Sequence, residues 1–208
     1  MRITAKNLSK RFNREWIFKD LNYEFSSPGT YAIIGPNGSG KSTLLQVLWG
    51  QMVPSAGSII YRFKDQEINQ SDFYQQVSIA TPYMDLIDEF TLLEMVKFHF
   101  SFKEIRENKS IEEVIELLGL NHARNKAITN FSSGMRQRLK LGLAFYSKCR
   151  VLFLDEPTTN LDRKSIDWYC MHLEQILDKT LTFIASNQDH EYPTHSQKID
   201  ILSYKKGY

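Results

Sequence analysis

Residues 35–42 read Gly35-Pro36-Asn37-Gly38-Ser39-Gly40-Lys41-Ser42, with Thr43 next. The residue types suit one task. Glycines let backbone N–H groups turn toward an anion and approach it closely. A helix opening at Lys41 adds free donors and the positive end of its dipole. Lys41 supplies a point charge for the β- and γ-phosphates of a nucleoside triphosphate, and the Ser42 hydroxyl is a hard oxygen ligand for Mg²⁺. The string satisfies G-x-x-x-x-G-K-[ST] at every fixed position. A second cluster follows four apolar residues: Val151-Leu152-Phe153-Leu154-Asp155-Glu156. A buried parallel strand delivers the residues at its carboxyl end to a ligand crevice. Asp155 is then placed to hold Mg²⁺ through water, and Glu156 to orient or deprotonate an attacking water. An acidic turn after an apolar strand says little alone. With the phosphate loop it describes a nucleoside triphosphatase.

Between the two motifs stands Phe131-Ser132-Ser133-Gly134-Met135-Arg136-Gln137-Arg138, and after the acids comes Pro157-Thr158-Thr159-Asn160-Leu161-Asp162. In this order the chain resembles the ABC ATPase family, whose hallmark is an L-S-G-G-Q signature shortly before the acidic strand. The resemblance covers essentially the whole chain. It implies ATP and Mg²⁺ as cofactors, and two such domains facing head to tail, with each ATP between the phosphate loop (Gly35 to Thr43) of one and the signature of the other. Ser132, Ser133 and Gly134 would then line the second half of the site, Ser132 and Gly134 touching the γ-phosphate across the interface. Phe12 matches the aromatic that stacks on adenine. Asp162 matches the loop linking the two sites, and also suits the N-cap of a helix from Arg163. The resemblance further implies an ATP-hydrolysing transporter subunit, working on the cytoplasmic face of a membrane through a permease on a separate chain.

The chain departs from that pattern at several points. Phe131, Ser133 and Met135 replace Leu, Gly and Gln of the signature. The family's glutamine after the strand ending near Ala80 is replaced by Thr81-Pro82-Tyr83-Met84, and no glutamine occurs between Gln76 and Gln137. The histidine that touches the γ-phosphate is replaced by Asn187, within Ser186-Asn187-Gln188. Asn187 can donate a hydrogen bond but carries no charge at neutral pH. It is the catalytic candidate at that position, beside Glu156 and Lys41; His190, three residues on, is expected to point elsewhere. ATP should bind well and turn over slowly. A nucleotide sensor that dimerises with little hydrolysis is the competing reading, opposed by the retained Glu156. A soluble, non-transport ATPase is opposed by a single phosphate loop and the lack of sustained heptads.

The elements that must position these residues follow from periodicity. Ile3 to Phe12 and Trp16 to Phe25 alternate like strands about an Asn13-Arg14 turn. Ser27-Pro28-Gly29 is a turn. Thr30 to Ile34, Gly57 to Phe63, Val77 to Ala80, Val151 to Leu154, Leu181 to Ala185 and Ile199 to Tyr204 are further strands. Helices are expected from Lys41, at Ile111 to Leu118 behind a Ser110/Glu113 capping box and closed by Gly119, and at Met135 to Tyr146 and Arg163 to Leu177. Thr91 to Phe102 carries both patterns and is assigned to helix. Strands alternating with helices give an α/β fold, a phosphate-loop NTPase core with a mostly parallel sheet, an N-terminal antiparallel β subdomain and an inserted helical subdomain. One domain is expected over 1–208, its core at about 1–81 and 150–208 and its helical part at about 82–149.

Composition is that of an ordinary globular chain: 208 residues, 26 Lys and Arg against 24 Asp and Glu, and 42% hydrophobic residues. The near-balanced charge gives no reason to expect a nucleic-acid partner. No apolar run approaches the length of a membrane span, and the opening residues lack the apolar core of a signal peptide. Cys149 and Cys170 form no CxxC pair and fit small residues in a reducing cytosol. Tyr83 to Phe90 lies where the family meets its membrane partner, with about half its apolar residues expected to pack inward.

Overall fold

The computed structural model describes residues 1–205. A first sheet is antiparallel. Its strands β1 (Arg2–Phe12), β2 (Glu15–Ser26), β4 (Ala56–Phe63) and β5 (Gln66–Ile68) run in the order β2-β1-β4-β5. The second is parallel, in the order β6-β7-β8-β3-β9, from β3 (Gly29–Ile34), β6 (Val77–Ala80), β7 (Val151–Asp155), β8 (Leu181–Ala185) and β9 (Gln197–Asp200). The architecture is α/β, with the antiparallel sheet at the N-terminal end as expected.

β7 and β8 are interior strands of that sheet and every residue in them is buried, which is why both lack polar alternation. The pleat sends successive side chains to opposite faces. Leu152 and Leu154 join a core formed with the helices, containing Leu92, Val96, Val114, Ile115, Leu139 and Leu143. Val151 and Phe153 join the other, with Ile3, Phe25, Ile33, Leu44, Leu48 and Phe183. The parallel sheet is thus the floor of both cores, and its carboxyl edge is held from two sides.

The helices are α1 (Lys41–Leu48), α2 (Gln70–Gln75), α3 (Leu92–Phe102), α4 (Ile111–Leu117), α5 (Ser133–Tyr146) and α6 (Arg163–Leu177). The two-patterned stretch folds as helix α3 because Thr91 and Glu94 close a capping box at its start. Its alternating phenylalanines follow from position: Phe100 packs on the helical core, whereas Phe98 and Phe102 stay exposed. The Ser110/Glu113 box caps α4 as read from the sequence.

The last strand differs from expectation. Pairing covers Gln197–Asp200, and Ile201–Tyr204 form a 3₁₀ turn instead of continuing the strand. Asp200 ends the ladder by accepting the Leu202 N–H on its own side chain at 2.9 Å. The turn tucks fully buried Ile201 beneath Gly35. β5 and α2 had no clear sequence signal; each is short and polar. Cys149 and Cys170 are both free.

One half-buried histidine makes α3 sensitive to acid. His99 Nε2 lies 2.8 Å from Ser147 Oγ, which itself donates to Leu143 O at 2.7 Å. Ser147 has spent its proton, so the imidazole donates from Nε2. Burial, with Lys103 nearby, pushes His99 down to about 4. The folded pKa lies below the unfolded one, so the unfolded chain takes up the proton first as pH falls. The contribution of His99 to stability is complete above about 6.5 and is lost toward 4, by on the order of 3 kcal/mol at most. The fall in denaturant midpoint from pH 7.5 to pH 5 should be smaller in His99→Gln than in the wild type.

Candidate functional site

The carboxyl ends of β3, β7 and β8 lie side by side. Beyond β3 the loop Gly35–Gly40 closes on the first turn of α1. Gly40 has φ +107°, and a Cβ there would fall 2.2 Å from Ile17 Cγ2, so any side chain would push the loop off β2. No side chain caps α1. Its first-turn N–H groups therefore face the loop. Lys41 is buried and folds back across it, donating to Gly35 O at 2.9 Å and Pro36 O at 3.2 Å. The result is a ring of amides and an ammonium, a geometry for anions.

Asp155 ends β7 opposite Ala185 of β8 and is 2% exposed. Burial pushes its carboxyl up to about 6; a hydrogen bond from Ser42 opposes this, the charge of Glu156 adds to it, Lys41 opposes it and Glu191 adds to it. Its Oδ1 has no hydrogen-bond partner in the protein. An unpartnered carboxylate oxygen beside a serine hydroxyl is a hard-oxygen pair that fits Mg²⁺. Glu156 follows with φ +44°, a left-handed backbone uncommon for a non-glycine residue, and its N–H is held by Ala185 O at 2.9 Å. Such strain persists only where the surroundings impose it.

Beyond β8, Asn187 donates from Nδ2 to Asn37 Oδ1 at 3.0 Å, which ties the loop after β8 to the phosphate loop. His190 does not join them: its Nε2 sits 3.1 Å from Thr158 Oγ1. Phe12 stands at the end of β1, about half exposed, with the Lys10 ammonium 5.3 Å from its ring centroid.

Ser132, Ser133 and Gly134 are set apart from this cluster, at the start of α5. Ser132 is the N-cap and accepts the Met135 N–H at 3.2 Å, and Ser132 and Ser133 are exposed. The segment packs instead on the loop after Glu156. Buried Gln137 donates to Pro157 O at 2.8 Å, and a Cβ on Gly134 would lie 3.1 Å from Asn160 O. Asp162 caps α6 by accepting the Ser165 N–H at 2.8 Å and stays exposed.

Where a glutamine was missing, cations from α5 take hold of the loop. Lys140 donates to Pro82 O at 2.7 Å and Arg136 pairs with Asp88 at 2.5 Å. Leu86 is buried, Ile87 and Phe90 pack on the core, and Tyr83 is 82% exposed. The sequence missed Glu191, a buried carboxylate between the loop after β7 and the loop after β8. Its polar neighbours Asp189 and His190 carry no pattern that marks it as interior.

A family model described as ABC transporter matches residues 18–159. An uncharacterized ABC transporter ATP-binding protein of Bacillus subtilis, YybJ, is 30% identical over 190 residues, covering 91% of this chain and 86% of that protein. Among solved structures, a putative ABC transporter ATP-binding protein from Pyrococcus furiosus superposes with a TM-score of 0.81 at 17% identity, covering 99% of this chain and 100% of that one. The dimeric cassette MJ0796, bound to ADP and Pi after hydrolysis, superposes with a TM-score of 0.74 at 21% identity, covering 90% of this chain and 88% of that one. By its matched residues and its relative in B. subtilis, this chain belongs to the ABC transporter family, as an ATP-binding cassette.

Proposed function

We propose that the chain binds ATP with Mg²⁺, pairs head to tail with a second copy or a homologue, and hydrolyses the nucleotide to drive transport through a separate membrane-spanning chain. The observation that carries this is the convergence of Lys41, Asp155, Glu156 and Asn187 at three adjacent strand ends. The loop amides and Lys41 grip the β- and γ-phosphates, and Phe12 offers a face to adenine. Ser42 and Asp155 are the residues that would hold Mg²⁺, which when bound neutralises charge on the phosphate oxygens. Glu156 takes a proton from the attacking water, and Asn187 hydrogen-bonds the γ-phosphate. Ser132 and Gly134 reach the γ-phosphate of the facing copy, with exposed Ser133 between them, because their helix start offers N–H donors and has no acidic side chain in its own first turn. Asp162 lies in the loop between the two sites.

The working unit is one domain over 1–208, with the strand core at about 1–81 and 150–208 and the helical part at about 82–149. It sits on the cytoplasmic face through its permease. Among the described residues no helix is long and apolar enough to cross a membrane. Exposed Tyr83, Phe98 and Phe102 are apolar surface on or near the segment expected to meet the partner. A dimerising sensor is the second reading, favoured by Asn187 where the family has histidine and by Thr81-Pro82-Tyr83-Met84 where it has a glutamine.

The test is phosphate release by the purified chain with and without Mg²⁺, alongside its mass in solution. Mg²⁺-dependent turnover with an ATP-induced doubling of mass is expected. ATP-induced doubling with no turnover would move the assignment to the sensor. Neither response, with ATP still bound, would remove the head-to-tail pair.

A further inference from the structure

Glu191 lies in the short turn that follows β8, outside every motif above, and is 1% exposed. Its Oε1 accepts the Thr158 backbone N–H at 2.8 Å and also the Thr158 hydroxyl. Its Oε2 accepts the Ser186 hydroxyl. Its own carbonyl is fixed by the hydroxyl of Tyr169, a wholly buried side chain of α6, at 2.6 Å. Thr158 comes two residues after Glu156, and Ser186 comes one residue before Asn187. One carboxylate therefore joins the loop that carries the proposed base to the loop that touches the phosphate site.

A carboxylate is a costly way to fill space. Burying its charge is tolerated only when the lone pairs are matched by donors, and an apolar side chain of similar size fills a core with less penalty. Here the matching donors come from two separate loops, so the arrangement specifies their spacing. Glu156 N–H to Ala185 O, at 2.9 Å, closes the same gap on the backbone.

We infer that Glu191 is a positioning residue for hydrolysis: it clamps the turn after Glu156 to the turn before Asn187, so that contact of Asn187 with nucleotide sets the carboxylate of Glu156. The inference rests on the hydrolytic reading above. Glu191→Gln keeps the shape, but its amide nitrogen can hold the Ser186 hydroxyl only if that hydroxyl turns from donor to acceptor, which weakens one arm of the clamp. Turnover should fall about 10- to 100-fold while ATP affinity stays within about twofold, the pattern of an interaction used after binding. Ser186→Ala removes the donor from one loop only and should lower kcat in the same direction. The double variant should fall short of the product of the two, because both cut one connection.

Hydrogen exchange reads the clamp without hydrolysis. ATP should slow exchange across residues 158–161 in the wild type, and that slowing should vanish in Glu191→Gln. The clamp is overturned if a folded Glu191→Gln retains both kcat and the ATP-induced protection. It is equally overturned if kcat, ATP affinity and melting temperature fall together, the mark of a purely structural role. If Glu191→Gln does not fold, Ser186→Ala carries the same comparison. A wild type that binds ATP without turnover would sink the hydrolytic reading, while the exchange experiment still decides whether the loops are coupled.

Discussion

Glu156→Gln is expected to lower ATP turnover by about 10²- to 10⁴-fold, the range that general base catalysis supplies. The substitution preserves shape and leaves an amide that cannot take a proton from water. The left-handed backbone at Glu156, φ +44°, and the bond of its N–H to Ala185 O stay as they are, because neither involves the side chain. Folding should therefore be unaffected. Removing a negative charge beside the Lys41 loop also removes repulsion against the γ-phosphate, so ATP should bind at least as tightly. The variant should accumulate as an ATP-bound dimer in which hydrolysis no longer drives separation. Phosphate release and solution mass, followed on one sample, check both halves. Turnover within about twofold of wild type would remove Glu156 as the base and leave the loop amides and Lys41 to carry the catalysis.

How much of this was legible in the sequence depends on how local the physics is. The phosphate loop is eight consecutive residues, and its geometry follows from glycine freedom and a helix start within that window. Asp155 and Glu156 were legible because the apolar run before them marks a strand buried on both faces. The capping box at Ser110 acts over three residues and was legible, whereas the matching box at Thr91 emerged only in the structure. The remaining contacts act over long separations. Gln137 meets Pro157, Lys140 meets Pro82, and Glu191 meets both Thr158 and Ser186. These pairs form only once α5 and the turn after β8 are docked on the sheet, and no periodicity announces them. The same limit explains the last strand. Ile199, Ile201 and Tyr204 looked like one apolar run, but the Asp200 side chain captures a backbone N–H and turns the chain under Gly35.

The tethers of the Tyr83 loop bear on coupling. Lys140 and Arg136 belong to the helix whose start holds Ser132 and Gly134, and they bind Pro82 and Asp88 in the loop that lacks its glutamine. Displacement of that loop would thus be felt first at the α5 helix start and only indirectly at Asp155.

Asn187→His is expected to raise turnover by about tenfold to a thousandfold, the cost of one missing contact made in the transition state. The position already faces the phosphate loop. Asn187 reaches Asn37 at 3.0 Å, and Ser186 before it is anchored to Ile33 O at 3.1 Å and to Glu191. Asn187 is exposed, so a longer imidazole meets no packed core. A neutral histidine donates much as the amide does. A protonated one adds a charge against the γ-phosphate as it gains negative character in the transition state. The gain should therefore appear in kcat with little change in ATP affinity, and it should be larger at pH 6.5 than at pH 8. It should also require Glu156, vanishing when Glu156→Gln is added. An unchanged rate would show that contact with the γ-phosphate does not limit this cassette. The slow step would then lie in closing the two copies around ATP, where the tethered Tyr83 loop and its partner act.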